Sequence, residues 1–363
     1  MTKIKKIGIL TAGGDCPGLN AVIRAVVKTA VNKYGIKAIG FKDGYDGLIK
    51  NTFVDLGNRE VSGILTLGGT ILGTSNIANP YHYAIKKGGK IIFKDVSKKA
   101  IRTYKKNKID ALVIIGGDGT LSNALKLKQS GLNVVGVPKT IDNDLSATDL
   151  TFGYDSALTT ATEAIDKLHT TAQSHHRVMI VEVMGRYAGW IALAAGMAGG
   201  GDVILIPEIP YIIQKVCGKI EERNKAGKRF SIIVVAEGAK PEGGELTVSS
   251  IVESSFDRVR LGGIAYKLAE QIEKIVNMEC RATILGHVQR GGTPTAFDRI
   301  LATRYGVEAM NLVIQRKFGK MVALHGNKMI SVPIEKAVDK LKLVPKNSGL
   351  VRSLREMGVS FGD

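Results

Sequence analysis

The sequence predicts an α/β protein made of two doubly wound, three-layer α/β/α domains. Three observations predict it. Short apolar runs alternate with stretches of helical period almost from end to end, as parallel strands and their crossover helices do. Glycine-rich turns follow directly on two of those runs, at 13–18 and 116–119. The strands are also too many for one sheet of ordinary size, and 363 residues suffice for about two domains.

The elements follow in order. Residues 6–11 (KIGILT) form a short buried strand. Residues 17–33 place apolar side chains at helical spacing, with Pro17 at the start. Residues 111–115 (ALVII) are continuously apolar, as a parallel strand buried on both faces is. A helix over 120–130 and a strand over 133–137 come next. The alternation continues through helix 156–174, strand 178–183 (VMIVEV), helix 187–198, strand 203–206, helix 211–226 and strand 231–236. A long helix over 256–276, a strand over 282–285 and a long helix over 294–315 complete it. No Pro/Ser linker interrupts the chain, and a domain break is expected near 152–155, just after the polar segment 142–149.

Composition excludes several classes. Hydrophobic residues are 44% and charged residues 23%, which leaves room for packed cores. The longest apolar stretch, 187–197, falls short of the ~18 residues a membrane helix needs. No signal-peptide core follows the basic N-terminus, so a cytoplasmic protein without a membrane partner is expected. Cys16, Cys217 and Cys280 match no metal or disulfide spacing. The net charge of +18 suits a lysine-rich surface, steering of anionic substrates, or nucleic-acid binding. The lysine crowd at 86–108 does not read as a stacking surface for single strands, and no nucleic-acid partner is expected.

The two glycine turns carry the first chemical signal. Beyond the carboxyl end of a parallel strand, glycines let backbone N–H groups approach phosphate, and the following helix start favours negative charge. Tight turns needed only for packing have the same look. In Gly116-Gly117-Asp118-Gly119-Thr120 the aspartate would repel phosphate directly, but it suits a Mg²⁺ ion that bridges phosphate oxygens. Asp118 is therefore the candidate metal ligand. Neither a Walker A segment nor a GxGxxG turn follows any strand.

The second signal is Pro138-Lys139-Thr140-Ile141-Asp142-Asn143-Asp144 at the end of a strand. Phosphoryl transfer to an alcohol needs a base near the hydroxyl and cations near the moving group. Asp142 suits the base, with Asp144 orienting it or reaching a metal through water. The same residue types also suit a turn or a helix cap.

PKTIDNDL resembles the catalytic loop of phosphofructokinases. So do Ser174-His175-His176-Arg177, Val183-Met184-Gly185-Arg186, Ala236-Glu237-Gly238 and the run from Arg281 through His287 and Arg290 to Gly292, in family order and over most of the chain. NAD kinases and diacylglycerol kinases share GGDGT but not this series. The resemblance implies the phosphofructokinase fold, with 1–153 and about 289–345 binding ATP, 154–288 binding fructose 6-phosphate, and a tail at 346–363. It implies Asp142 as base toward the sugar 1-hydroxyl, Thr140 at the transferring phosphate and Arg186 at the transition state. Ile141, Met184, Gly185, Glu237, Arg281, Val288 and Gln289 then belong to the sugar-phosphate site, and His287 and Arg290 to its 6-phosphate. Arg177 and Arg281 match arginines that cross a subunit interface, implying a homodimer or homotetramer with shared sites. Gly13, Tyr45, Asn76, Gly117, Asp118, Gly119 and Thr120 match the nucleotide side, with Mg²⁺ as cofactor.

The donor signals are opposed. Gly119 leaves open a slot that pyrophosphate users typically fill with aspartate, which favours ATP. Lys139 stands where those users typically carry lysine, and Asn76 stands where many relatives have arginine. The steric argument is the stronger, so ATP is the expected donor and pyrophosphate the alternative. Another GGDGT kinase, or an inactive nucleotide-binding relative, is the remaining reading. Arg24 and Lys28 lie where relatives bind effectors, but lysine replaces the usual arginine at the second position, so weak or absent effector control is expected.

Overall fold

The computed structural model describes residues 3–252 and 259–363. The chain opens with β1 (Lys6–Thr11), α1 (Leu19–Lys28), β2 (Lys37–Phe41), α2 (Tyr45–Lys50) and β3 (Phe53–Leu56). A hairpin of β4 (Tyr83–Lys87) and β5 (Lys90–Lys94) leads to α3 (Ser97–Lys106), β6 (Ala111–Gly116), α4 (Asp118–Gln129) and β7 (Val134–Pro138). Next come α5 (Tyr154–His175), β8 (Val178–Val183), α6 (Trp190–Ala198), β9 (Val203–Leu205), α7 (Ile213–Lys225) and β10 (Ser231–Ala236). A second hairpin, β11 (Val248–Ile251) with β12 (Val259–Leu261), precedes α8 (Ile264–Val276), β13 (Cys280–Ile284) and α9 (Ala296–Ile314). The chain ends with β14 (Lys320–His325), β15 (Lys328–Pro333), α10 (Ile334–Val338) and α11 (Gly349–Glu356).

Two sheets organise these elements. The larger has seven strands in the order β15-β14-β7-β6-β1-β2-β3. Its five central strands are parallel and its two edges antiparallel. The smaller is all parallel, in the order β13-β8-β10-β9. Side chains alternate between faces as the pleat requires. In β6, Val113 and Ile115 join the core shared with the second sheet, while Leu112 and Ile114 pack on the opposite side with α4 residues such as Leu121 and Leu127. In β8, Met179 and Val181 enter the shared core, and Val178 and Ile180 pack with Leu268 and Ile272 of α8. Both faces of each sheet are covered, as a three-layer α/β/α arrangement demands.

Two expectations change. The helix expected over 256–276 starts at Ile264, after β12; residues 256–258 of that span lie outside the described residues. Gly262 and Gly263, both at positive φ, stop the strand and start the helix, and the Glu182 carboxylate caps it by accepting from the Gly263 and Ala265 amides. The single helix expected over 17–33 is α1 followed by a π-turn at Thr29–Lys33. Among the described residues, no helix is long and apolar enough to cross a membrane.

Candidate active site

The parallel strands of both sheets end at one cleft of about 920 Å³. Ligands in open α/β sheets bind at such carboxyl ends. From the larger sheet, β1 delivers Gly13, Gly14 and Asp15; β6 delivers Gly117, Asp118 and Gly119; β7 delivers Lys139, Thr140, Asp142 and Asp144. From the smaller sheet, β8 delivers Met184 and Arg186, β10 delivers Glu237, and the turn after β13 delivers His287 and Arg290. Thr120, Tyr45 and Asn76 complete the set of expected residues that line it.

The glycine turns are shaped by what lies against them. A Cβ on Gly14 would stand 2.7 Å from Arg290 Nη1, so a larger residue there would push that guanidinium aside. Arg290 Nη1 donates to the Asp15 carbonyl at 3.1 Å, tying the two lips of the cleft together. The Lys139 ammonium is buried and donates to the Gly14 carbonyl; burial pulls its pKa down. The Tyr45 hydroxyl, buried, donates to the Thr120 carbonyl at 2.7 Å and braces the GGDGT turn.

The acidic loop holds two carboxylates, Asp142 and Asp144, and Asp118 of the glycine turn is near enough to act on the second. The Asp142 amide donates to Thr140 Oγ1 at 3.1 Å, while Asp142 Oδ1 is buried with no hydrogen-bond partner among the described residues. Burial pushes Asp144 up to about 7, and the Asp142 and Asp118 charges push the same way. Glu237 is also pushed up to about 7, by burial first and then by Asp142. Its Oε1 accepts from the Arg186 amide at 3.1 Å. Arg186 takes a left-handed φ of 55°, rare for a side-chain-bearing residue. Its carbonyl lies 1.8 Å from where a Cβ on Gly238 would be, so residue 238 must be glycine for the two loops to cross.

Six expected residues do not line the cleft. Ile141 and Gln289 are buried. Gln289 Oε1 accepts from the Met184 amide and its amide donates to the Gly286 carbonyl, so it holds the β8 and β13 loops together. Gly185 and Val288 lie beside lining residues without lining the cleft themselves, and Val288 is 62% exposed. Arg177 and Arg281 both pair with Glu279 near the start of β13, the edge strand of the smaller sheet. Sequence reasoning missed Ser249, Ser250 and Arg260 of the β11–β12 hairpin, which line the cleft. The short V-S-S-I run has no period-2 alternation to mark it as a strand, which is why sequence reasoning passed over it.

A pair of glycine turns faces a carboxylate–arginine set across this cleft, on two doubly wound sheets. Solved structures share that architecture. Phosphofructokinase from Pichia pastoris in the T-state superposes with a TM-score of 0.79 at 32% identity, over 93% of this chain and 36% of that one. The pyrophosphate-dependent phosphofructokinase from Marinobacter aquaeolei matches at TM-score 0.80 over 98% of this chain and 92% of that one, and at 21% identity it speaks to fold alone. The fold is thus the phosphofructokinase fold.

The family model "Phosphofructokinase" matches residues 6–313. ATP-dependent 6-phosphofructokinase 2 from Clostridium perfringens is 57% identical over 365 residues, covering 100% of both chains. ATP-dependent 6-phosphofructokinase from Chloroflexus aurantiacus is 49% identical, over 100% of this chain and 99% of its own. The chain belongs to the phosphofructokinase family.

Proposed function

We propose that the chain transfers the γ-phosphoryl of ATP to the 1-hydroxyl of D-fructose 6-phosphate, giving fructose 1,6-bisphosphate and ADP. Full-length similarity to ATP-dependent 6-phosphofructokinases supports this ATP-dependent 6-phosphofructokinase activity. The observation that carries the chemistry is Asp142 Oδ1, which among the described residues is buried without a hydrogen-bond partner, unlike the other buried side-chain polar atoms lining the cleft. A substrate hydroxyl fits that vacant acceptor.

Asp142 takes the proton of the 1-hydroxyl as that oxygen attacks phosphorus. Thr140 and Arg186 meet the equatorial oxygens of the moving group, the arginine offering a planar fork to them. His287 and Arg290 hold the 6-phosphate; Met184 and Glu237 line the sugar. Gly13, Gly117, Gly119 and Thr120 cradle the donor phosphates, with Tyr45 supporting the turn and Asn76 adding an uncharged contact. Mg²⁺ suits this place because the Asp118 and Asp142 charges already push Asp144 upward, a repulsion that a cation would relieve, and hard oxygen donors are what it takes. Asp118 would hold it, Asp144 through water, and it would neutralise charge on the transferred group.

The donor is ATP because Gly119 keeps its slot open, while Lys139 spends its ammonium on the Gly14 carbonyl inside the protein. The active unit is an oligomer. Arg281 stands on the edge strand β13 and Arg177 just before β8, neither lining their own cleft, and the exposed Ile284 and Val288 follow Arg281 in the chain. We assign 1–153 with about 289–345 to the donor half and 154–288 to the acceptor half, as sheet membership supports.

Replacing Asp142 by serine tests the assignment. Turnover should fall roughly 10²–10⁴-fold, the usual contribution of a general base, with fructose 6-phosphate binding retained by calorimetry. Turnover within a few-fold of the parent removes Asp142 as the base.

A further inference from the structure

The C-terminal segment after α10 reaches back into the site region. Lys342 is the centre of its contacts. Its amide donates to the Asp144 carbonyl at 2.7 Å. Its ammonium, largely buried, donates to Asn143 Oδ1 at 2.9 Å, the Thr148 carbonyl at 3.1 Å and the Asp149 carbonyl at 2.8 Å. Asn143 and Ala147 both sit at left-handed φ, 52° and 61°, so the loop is held in a conformation that side-chain-bearing residues seldom adopt. Three bonds from one ammonium offset that cost.

The same residue grips the other sheet. The Lys342 carbonyl accepts from Trp190 Nε1 at 2.7 Å, and its ammonium stands 5.5 Å from that ring. Trp190 opens α6, directly after the turn that carries Arg186. Two residues on, the Val344 amide donates to Glu208 Oε1 at 2.8 Å, and Glu208 accepts from the Gly189 amide at 3.0 Å. Thus one short strap bonds the loop of Asp142 on the larger sheet and the turn of Arg186 on the smaller. Two sheets joined at a cleft can shift relative to each other, and phosphoryl transfer is steep in that distance because catalysis rests on positioning.

We propose that Lys342 is a positioning residue that sets the Asp142 loop against the Arg186 turn, with the strap of 340–344 as the brace between the halves of the site. It touches no substrate. Its effect is on how often the proton acceptor and the arginine are in place together, so it acts on turnover and not on ground-state binding. The inference rests on the proposed roles of Asp142 and Arg186.

The test is Lys342→Met, which keeps the stem and removes the donors, assayed with ATP and fructose 6-phosphate beside the parent. The expected result is kcat lowered about tenfold or more per folded molecule, with both KM values within about twofold. A kcat per folded molecule equal to the parent's overturns the proposal, whatever happens to thermal stability. So does a rise in KM with kcat kept. If the variant gives no folded protein, Trp190→Phe keeps an aromatic ring and removes the donor to the Lys342 carbonyl. There a kcat lowered about threefold at unchanged KM supports the proposal, and an unchanged kcat overturns it. Absence of turnover by the parent itself would instead count against the proposed function.

Discussion

At the residue scale the site works by placing charges where water cannot screen them. Asp144 is the clearest case. Its ordinary carboxylate range is near 3.8, and burial with two neighbouring carboxylates raises it to about 7. The folded state therefore keeps a proton that the unfolded chain has lost between those values. Stability from this group is present below pH ~4 and is lost as pH rises toward 7. Asp144→Asn should flatten that part of the stability–pH curve in denaturant titrations at pH 5 and 7. An unchanged slope would mean Asp144 titrates normally in the folded protein. A bound cation reverses the sense, since it favours the ionised form.

Much of the residue-scale picture was legible in sequence because its chemistry sits at strand ends. The glycines of 13–18 and 116–119, and the carboxylates of 142–144, stand out against the apolar runs that precede them. Arg186 and Glu237 became legible through their short motifs. Lys342 did not, because nothing in its local sequence sets it apart from other lysines of the tail; its role arises from bonds to residues about 200 positions away. Arg290 was read toward the sugar phosphate, and its bond to the Asp15 carbonyl needed the third dimension.

At the scale of elements, the buried parallel strands were the most readable. ALVII and VMIVEV are apolar throughout because helices cover both faces, and β8 and β10 fall at the expected residues. Edge elements were not readable. The edge strands β3 and β15 carry mixed polarity, since one side of each faces solvent, while their inner neighbours β2 and β14 are short buried runs that sequence reasoning passed over. The helix misplaced at 256 shows a periodic segment being extended backward through a Gly-Gly stop. Helix starts carry a further prediction. Asp298 of α9 is fully buried and caps α5, accepting from the Gly153 and Ser156 amides at 2.9 and 2.8 Å and from Ser156 Oγ at 2.7 Å. Asp298→Ala strands those donors and should cost about 1–3 kcal/mol in chemical denaturation. A loss under ~0.5 kcal/mol would show that water replaces the cap.

At the scale of the whole molecule, two sheets share one core and open one cleft between their carboxyl ends. In the proposed reading, residues for donor and acceptor come from opposite sides, and the strap of 340–344 joins them. If Arg281 completes a neighbour's site, Asp142→Ser and Arg281→Ser subunits should each be inactive alone. Co-expressed, they should recover up to about a quarter to a half of parental activity, because a mixed pair contains one intact site. No recovery in a verified mixed oligomer would mean that each site is built within one chain.

The central claim is that this cleft passes phosphate from ATP to fructose 6-phosphate. Steady-state rates with fructose 6-phosphate and either MgATP or Mg-pyrophosphate test it most directly. The open slot at Gly119 and the buried bond of Lys139 require turnover with MgATP and, with pyrophosphate, at most a small fraction of it. Strong turnover with pyrophosphate and none with ATP would contradict the account.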